Sequence, residues 1–157
     1  MLKTRRRMMG TILVTSVALT VPAVVVAGGG AIDLKTKMSG DQVVPEGSGA
    51  PNGHGKGSFT VRVDKRKLCY DLSWRKTNGE VRGYIFKGAK GDNSPNPDHS
   101  TVVLFNQPQP TPASGCETDI AKEKLEKISD SPKKYHVSLI NDTYSDGAVR
   151  GQLKLDD

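Results

Sequence analysis

The sequence is poor in the residue types that usually carry chemistry, with only three His and two Cys among 157 residues. His54, His99 and His136 fall in a Gly-rich loop, a polar loop and an off-core strand position. Their spacing matches no metal-ligand set, so we expect surface histidines. Residues 91–98 offer oxygen ligands to calcium, but they lack EF-hand spacing and are ordinary turn formers. Because no Gly-x-Ser-x-Gly motif occurs either, we expect no catalytic residues, no metal and no cofactor.

Long apolar runs are confined to the N-terminus. Residues 8–26 are apolar, follow a basic start and end in a small-residue cleavage site at Ala27. The pattern predicts a signal peptide over residues 1–27, a flexible lead-in over residues 28–31 and one domain over residues 32–157. A retained anchor is the alternative, but no basic stop-transfer cluster follows the run. We expect a secreted, extracellular protein with no membrane span after processing.

Cleavage would also change the charge of the protein. It would remove four of the 23 basic residues and none of the 17 acidic ones, which leaves a nearly neutral domain. The basic clusters at residues 65–67, 75–76 and 133–134 fall at predicted turns rather than on one continuous stripe. We therefore expect no nucleic-acid partner.

Apolar and polar residues alternate with a period of two in most of the chain, which predicts antiparallel strands. The segments are residues 32–38, 59–63, 68–74, 81–86, 101–105, 135–140 and 149–155. One stretch differs, because Ser114 and Glu117 have capping-box spacing and a stripe of helical period follows them. The pattern therefore predicts an all-β sandwich or barrel with one short inserted helix at about residues 115–129.

Cys69 and Cys116 are the two cysteines of the chain. Export to an oxidising compartment favours a disulfide between them over two buried free thiols.

Residues 144–153 read Tyr-Ser-Asp-Gly-Ala-Val-Arg-Gly-Gln-Leu and resemble the closing motif of the CHRD domain, a family common in secreted bacterial proteins. Other parts of the family are resembled, in the right order, by residues 38–45, 55–59, 68–72 and 114–116. The resemblance implies a Greek-key β fold related in shape to copper-zinc superoxide dismutase. The biochemical role of the family is poorly defined, so the resemblance points to fold and location better than to activity.

The resemblance also implies three histidines that this chain lacks. In family members, two strands carry imidazoles that converge on one face, and Tyr84, Phe86 and Ile140 stand at those positions here. Chance drift at an unused site is one explanation. We favour the conversion of a polar pocket into an apolar contact surface on the face opposite the core.

An apolar surface of this kind needs a cover or a partner. We expect Ile120, Leu125 and Ile128 of the predicted helix to cover it, with the disulfide beside them. If the surface is open instead, it is a candidate partner-binding patch.

Arg150 is the one charged residue for which the sequence suggests a particular role. The alternation pattern puts it on the same side of the sheet as Tyr84, Phe86 and Ile140, so it is expected to stack on Tyr84 or to bind loop carbonyls. Recognition of a carboxylate or sugar ligand is the alternative.

These observations favour a secreted, non-catalytic module that acts in binding or structure outside the cell or in its envelope, with an unknown partner. Two alternatives remain, a metal enzyme like superoxide dismutase and a protein with a small-ligand pocket near Arg150.

Overall fold

The computed structural model describes residues 30–92 and 97–156. The predicted signal peptide at residues 1–27 lies outside the described residues and stays a prediction. The strands are β1 (Ile32–Ser39), β2 (His54–Arg62), β3 (Lys67–Arg75), β4 (Val81–Lys87), β5 (Val102–Gln109), β6 (Ala113–Glu117), β7 (Tyr135–Ile140) and β8 (Val149–Leu155). One α-helix, α1 (Lys122–Asp130), connects β6 to β7 through a short 3-10 turn. No helix in these two segments is long and apolar enough to cross a membrane.

The strands form one antiparallel sheet in the order β5, β4, β7, β8, β1, β2, β3, β6. The last strand, β8, pairs with β7 on one side and with the first strand, β1, on the other, so β8, β1, β2 and β3 follow one another in a Greek-key order. The two ends of the sheet approach each other, because the ring of Phe105 on β5 lies 5.8 Å from Tyr70 and 6.1 Å from Trp74, both on β3. The predicted all-β fold is thus confirmed as a nearly closed barrel.

The inward-facing residues of the strands form one apolar core, which includes Leu34, Phe59, Leu72, Val137 and Leu153. Gly151 permits the close approach of β8 to β1, because a Cβ atom at this position would lie 2.6 Å from Thr36 Oγ1. The Thr36 hydroxyl instead donates to the Gln152 carbonyl across the two strands at 3.0 Å.

The predicted helix bounds need correction. Residues 113–117 form β6 rather than the start of a helix, and α1 begins only at Lys122. Ala121 at the N-terminal cap makes no side-chain capping bond, so the Ser114 to Glu117 spacing was misleading. The segment is extended because its backbone pairs with β3, which supplies more hydrogen bonds than a capping box would.

A disulfide joins Cys69 on β3 to Cys116 on β6, where the two residues stand directly opposite each other. It fastens the strand at one end of the sheet order to its neighbour.

Candidate functional site

The outer surface of β4, β7 and β8 holds the residues that the family resemblance singled out. The strand register places Tyr84, Ser138 and Arg150 in one row. Phe86, His136 and Gln152 form the next row, and Ile140 stands opposite Arg82. We call this surface the β4–β7–β8 face. It is the side of the sheet that faces away from the main core.

Tyr84, Phe86 and Ile140 form a buried cluster of their own, separate from the main core. Phe86 has no exposed surface, and its ring lies 5.8 Å from that of Tyr84. The three residues therefore form a packed apolar cluster and not a patch open to solvent.

The helix does not cover this cluster, so the expected cover was wrong. Leu125 and Ile128 are fully buried in the main core, and Ile120 packs against that core as well. The disulfide lies on β3 and β6 and not on the strands of the β4–β7–β8 face. Leu125 and Ile128 lie on one face of α1, as the apolar stripe of helical period predicted. The pattern did not indicate which side of the sheet that stripe would contact.

The segment that follows β4 lies over part of the face instead. The Gly88 amide donates to the Lys134 carbonyl at 2.8 Å, and the Gly88 carbonyl accepts from Gln152 Nε2 at 2.7 Å. Gln152 Nε2 is also 2.8 Å from the carbonyl of Lys133. Residues 88–92 are thereby held against the start of β7 and against β8.

Arg150 fastens the same segment from below and is only 1% exposed. One guanidinium nitrogen, Nη2, donates to the Ala89 carbonyl at 2.8 Å, and Nη1 donates to the Asp92 carbonyl. Burial lowers the pKa of Arg150, and the nearby Asp92 carboxylate opposes this shift. No carboxylate among the described residues forms an ion pair with Arg150. The side chain therefore donates hydrogen bonds to loop carbonyls, which is one of the two structural roles expected for it.

His136 lies beside Arg150 and was wrongly expected at the surface. It has no exposed surface, and its ring is 5.6 Å from that of Phe86. The Nδ1 atom is 3.2 Å from the Gly88 carbonyl oxygen and 3.3 Å from Arg150 Nη2. Burial first, and then the charge of Arg150, lower the pKa of His136 to about 4. His54 and His99 are exposed, as expected.

The signal for His136 was present in the sequence. It shares the period-two parity of Ser138 and Ile140, and Ile140 was already assigned to a face that needed a cover. A polar residue on the same side of β7 is therefore expected to be covered too. Only the structure shows that the segment at residues 88–92 covers it.

The chemistry available to the β4–β7–β8 face follows from these groups. It presents a buried guanidinium and an imidazole that stays neutral at ordinary pH. Within the described segments, no three His, Cys, Asp or Glu side chains converge as a metal site would need. A cavity of about 210 Å³ borders Ile140, and it is lined by Arg82 and Asp142 and not by Arg150, Tyr84 or Phe86.

Comparisons with known proteins add the family. Searches of curated proteins and of solved structures found no match. The family model of the CHRD domain matches residues 34–153, which run from the first strand to the last. The chain therefore belongs to the CHRD domain family.

Proposed function

We propose that this protein is a secreted, non-catalytic CHRD module that serves in binding or structure outside the cell or in its envelope. One observation carries the proposal. The positions at which the family resemblance implies imidazoles are occupied by Tyr84, Phe86 and Ile140, which pack together in a buried cluster.

The electrostatics of the same face support this reading. Arg150 places a positive charge under the covering segment and next to His136, the one imidazole on this surface. A divalent cation at this point would face a like charge in surroundings of low dielectric constant, which is costly. The face is thus better suited to holding the segment at residues 88–92 than to redox chemistry.

Metal analysis of the purified protein, with superoxide and peroxide assays, tests the non-catalytic part. We expect no stoichiometric copper or zinc and no turnover of either substrate. Tightly bound metal that is lost on substitution of His54, His99 or His136 would favour the dismutase-like alternative.

A histidine-restoration variant tests whether the apolar cluster stabilises the fold. Tyr84→His, Phe86→His and Ile140→His together should lower the urea midpoint strongly, because polar rings would replace close-packed apolar groups. Val103→His is the matched control, since Val103 is 41% exposed and should tolerate the change. A triple variant with the same urea midpoint as the control would show that the apolar cluster does not stabilise the fold.

N-terminal sequencing of protein from the producing cells tests export. We expect the mature chain to begin near Gly28, because Ala27 offers a small residue at the cut. A mature chain that retains Arg5 to Arg7 would contradict the export part of the proposal.

A further inference from the structure

A second surface of the sheet has an unusual charge distribution. The strand register places Lys37 directly opposite Lys56 on β1 and β2, and Lys35 directly opposite Lys154 on β1 and β8. Arg75 on β3 stands opposite His54 in the next row along the sheet. We call this surface, the outer side of β8, β1, β2 and β3, the basic face.

Like charges directly opposite each other on neighbouring strands lower the stability of a sheet, because their Cβ atoms are only about 5 Å apart. Lys37 and Lys56 are both exposed, and neither is in an ion pair within the described segments. Lys35 is partly neutralised by Asp156 at 2.6 Å. Asp71 stands opposite Ser58, one diagonal step from Lys56. The centre of the basic face therefore has excess positive charge that the fold does not require.

Two clefts lie at this surface, and each is lined by cations. One, of about 650 Å³, is bordered by Lys37, His54, Lys56 and Arg75, and no carboxylate lines it. The other, of about 580 Å³, is bordered by Lys35, Lys133, Lys134 and Lys154, with Asp130 the one acid in its lining. Both clefts share strand β1, so a chain molecule can cross from one to the other.

We propose that the basic face binds an acidic polysaccharide, which rests on the proposed role as a binding module and names its partner. Two adjacent cationic clefts fit a polymer with repeated anionic groups better than a single small anion. Strands about 4.8 Å apart make the path across four of them about 15 Å long, enough for several sugar units.

The composition of the face argues against nucleic acid. Apart from His54, the cations that border the two clefts are six lysines and one arginine, Arg75, whereas base recognition typically relies on the planar guanidinium of Arg. Trp74 also lines the first cleft, but it is only 3% exposed. The outward positions of β8, β1, β2 and β3 carry no aromatic ring other than the imidazole of His54, so a base would find little ring surface on which to stack. Recognition of this kind depends on the charge of the polymer, so its affinity should fall steeply with salt.

The test measures binding of the purified protein to heparin, polygalacturonate, double-stranded DNA and neutral dextran at several salt concentrations. Polygalacturonate carries carboxylates alone, whereas heparin carries sulfates as well, so comparing the two shows whether binding needs sulfate. We expect binding to at least one of them, weaker binding to DNA, and none to dextran. At 50 mM salt, Lys37→Gln with Lys56→Gln should weaken polysaccharide binding about tenfold and flatten its salt dependence.

The matched control removes the same charge elsewhere, with Lys65→Gln and Lys127→Gln, two exposed positions off the basic face. It should keep most of the affinity. The proposal is overturned if neither polysaccharide binds at low salt, if DNA binds more tightly than both, or if the two double variants lose equal affinity. Any of these results in protein that is exported and free of metal would leave the proposed function intact, which keeps the two failures distinct.

Discussion

The burial of His136 predicts an acid-sensitive fold. The imidazole has a pKa of about 4 in the folded protein, whereas a free histidine side chain titrates near 6.5. Above pH ~6.5, both folded and unfolded states carry a neutral ring, so His136 has no effect on stability. Between pH ~6.5 and ~4 only the unfolded state takes up the proton, so stability falls as the pH falls. Below pH ~4 both states are protonated and the loss is complete.

The size of the effect follows from the shift. Each pH unit in the window costs 1.36 kcal/mol, so the total loss is about 3 kcal/mol. Urea unfolding from pH 7.5 to 3.5 measures it, and His136→Gln serves as the reference because it keeps a polar group that cannot titrate. Subtracting the two curves removes the carboxylates that titrate in the same range. His54→Gln, at an exposed site, should follow the wild-type curve. A His136→Gln variant with the wild-type pH dependence would refute the reasoning.

Three further changes test other contacts. Phe86→Ala should lower the free energy of unfolding by about 3 kcal/mol, as for a fully buried aromatic ring, whereas Val103→Ala at its exposed site should cost under ~1 kcal/mol; urea titration compares them. Arg150→Met should raise the pKa of the neighbouring histidine, since the guanidinium charge now lowers it, and an NMR titration of the ring would show no change if that coupling were absent. Replacing Cys69 and Cys116 by Ser should cost about 4 kcal/mol in the chain-entropy model for a separation of 47 residues, and an unchanged thermal midpoint would contradict it.

Some features of the fold could be read from local pattern. Alternation with a period of two depends only on neighbouring residues, so it correctly predicted seven of the eight strands, all but β6. It also put Tyr84, Phe86, Ile140 and Arg150 on the side away from the core. The closing motif around Gly151 indicated the family, and the structure shows why that position is small, because Thr36 lies against it.

Other features depend on which distant segments meet. Residues 113–117 have the signature of a helix start, and pairing with β3 keeps them extended. The apolar stripe of α1 suits either side of the sheet, and long-range packing places Leu125 and Ile128 in the main core. Residues 88–92 look like an ordinary polar loop, yet their carbonyls hold Arg150.

The sequence by itself therefore determined the all-β class, the side of its strand on which each side chain lies, and the family. The tertiary structure alone decided that residues 88–92 lie over part of the β4–β7–β8 face and that His136 is buried there. It also brought Lys35, Lys37, Lys56 and Lys154 together, residues that are scattered over more than a hundred positions of the chain. The physical reason is that parity is a local property of the extended backbone, whereas strand register and loop closure join residues far apart in sequence, and local alternation carries no information about them.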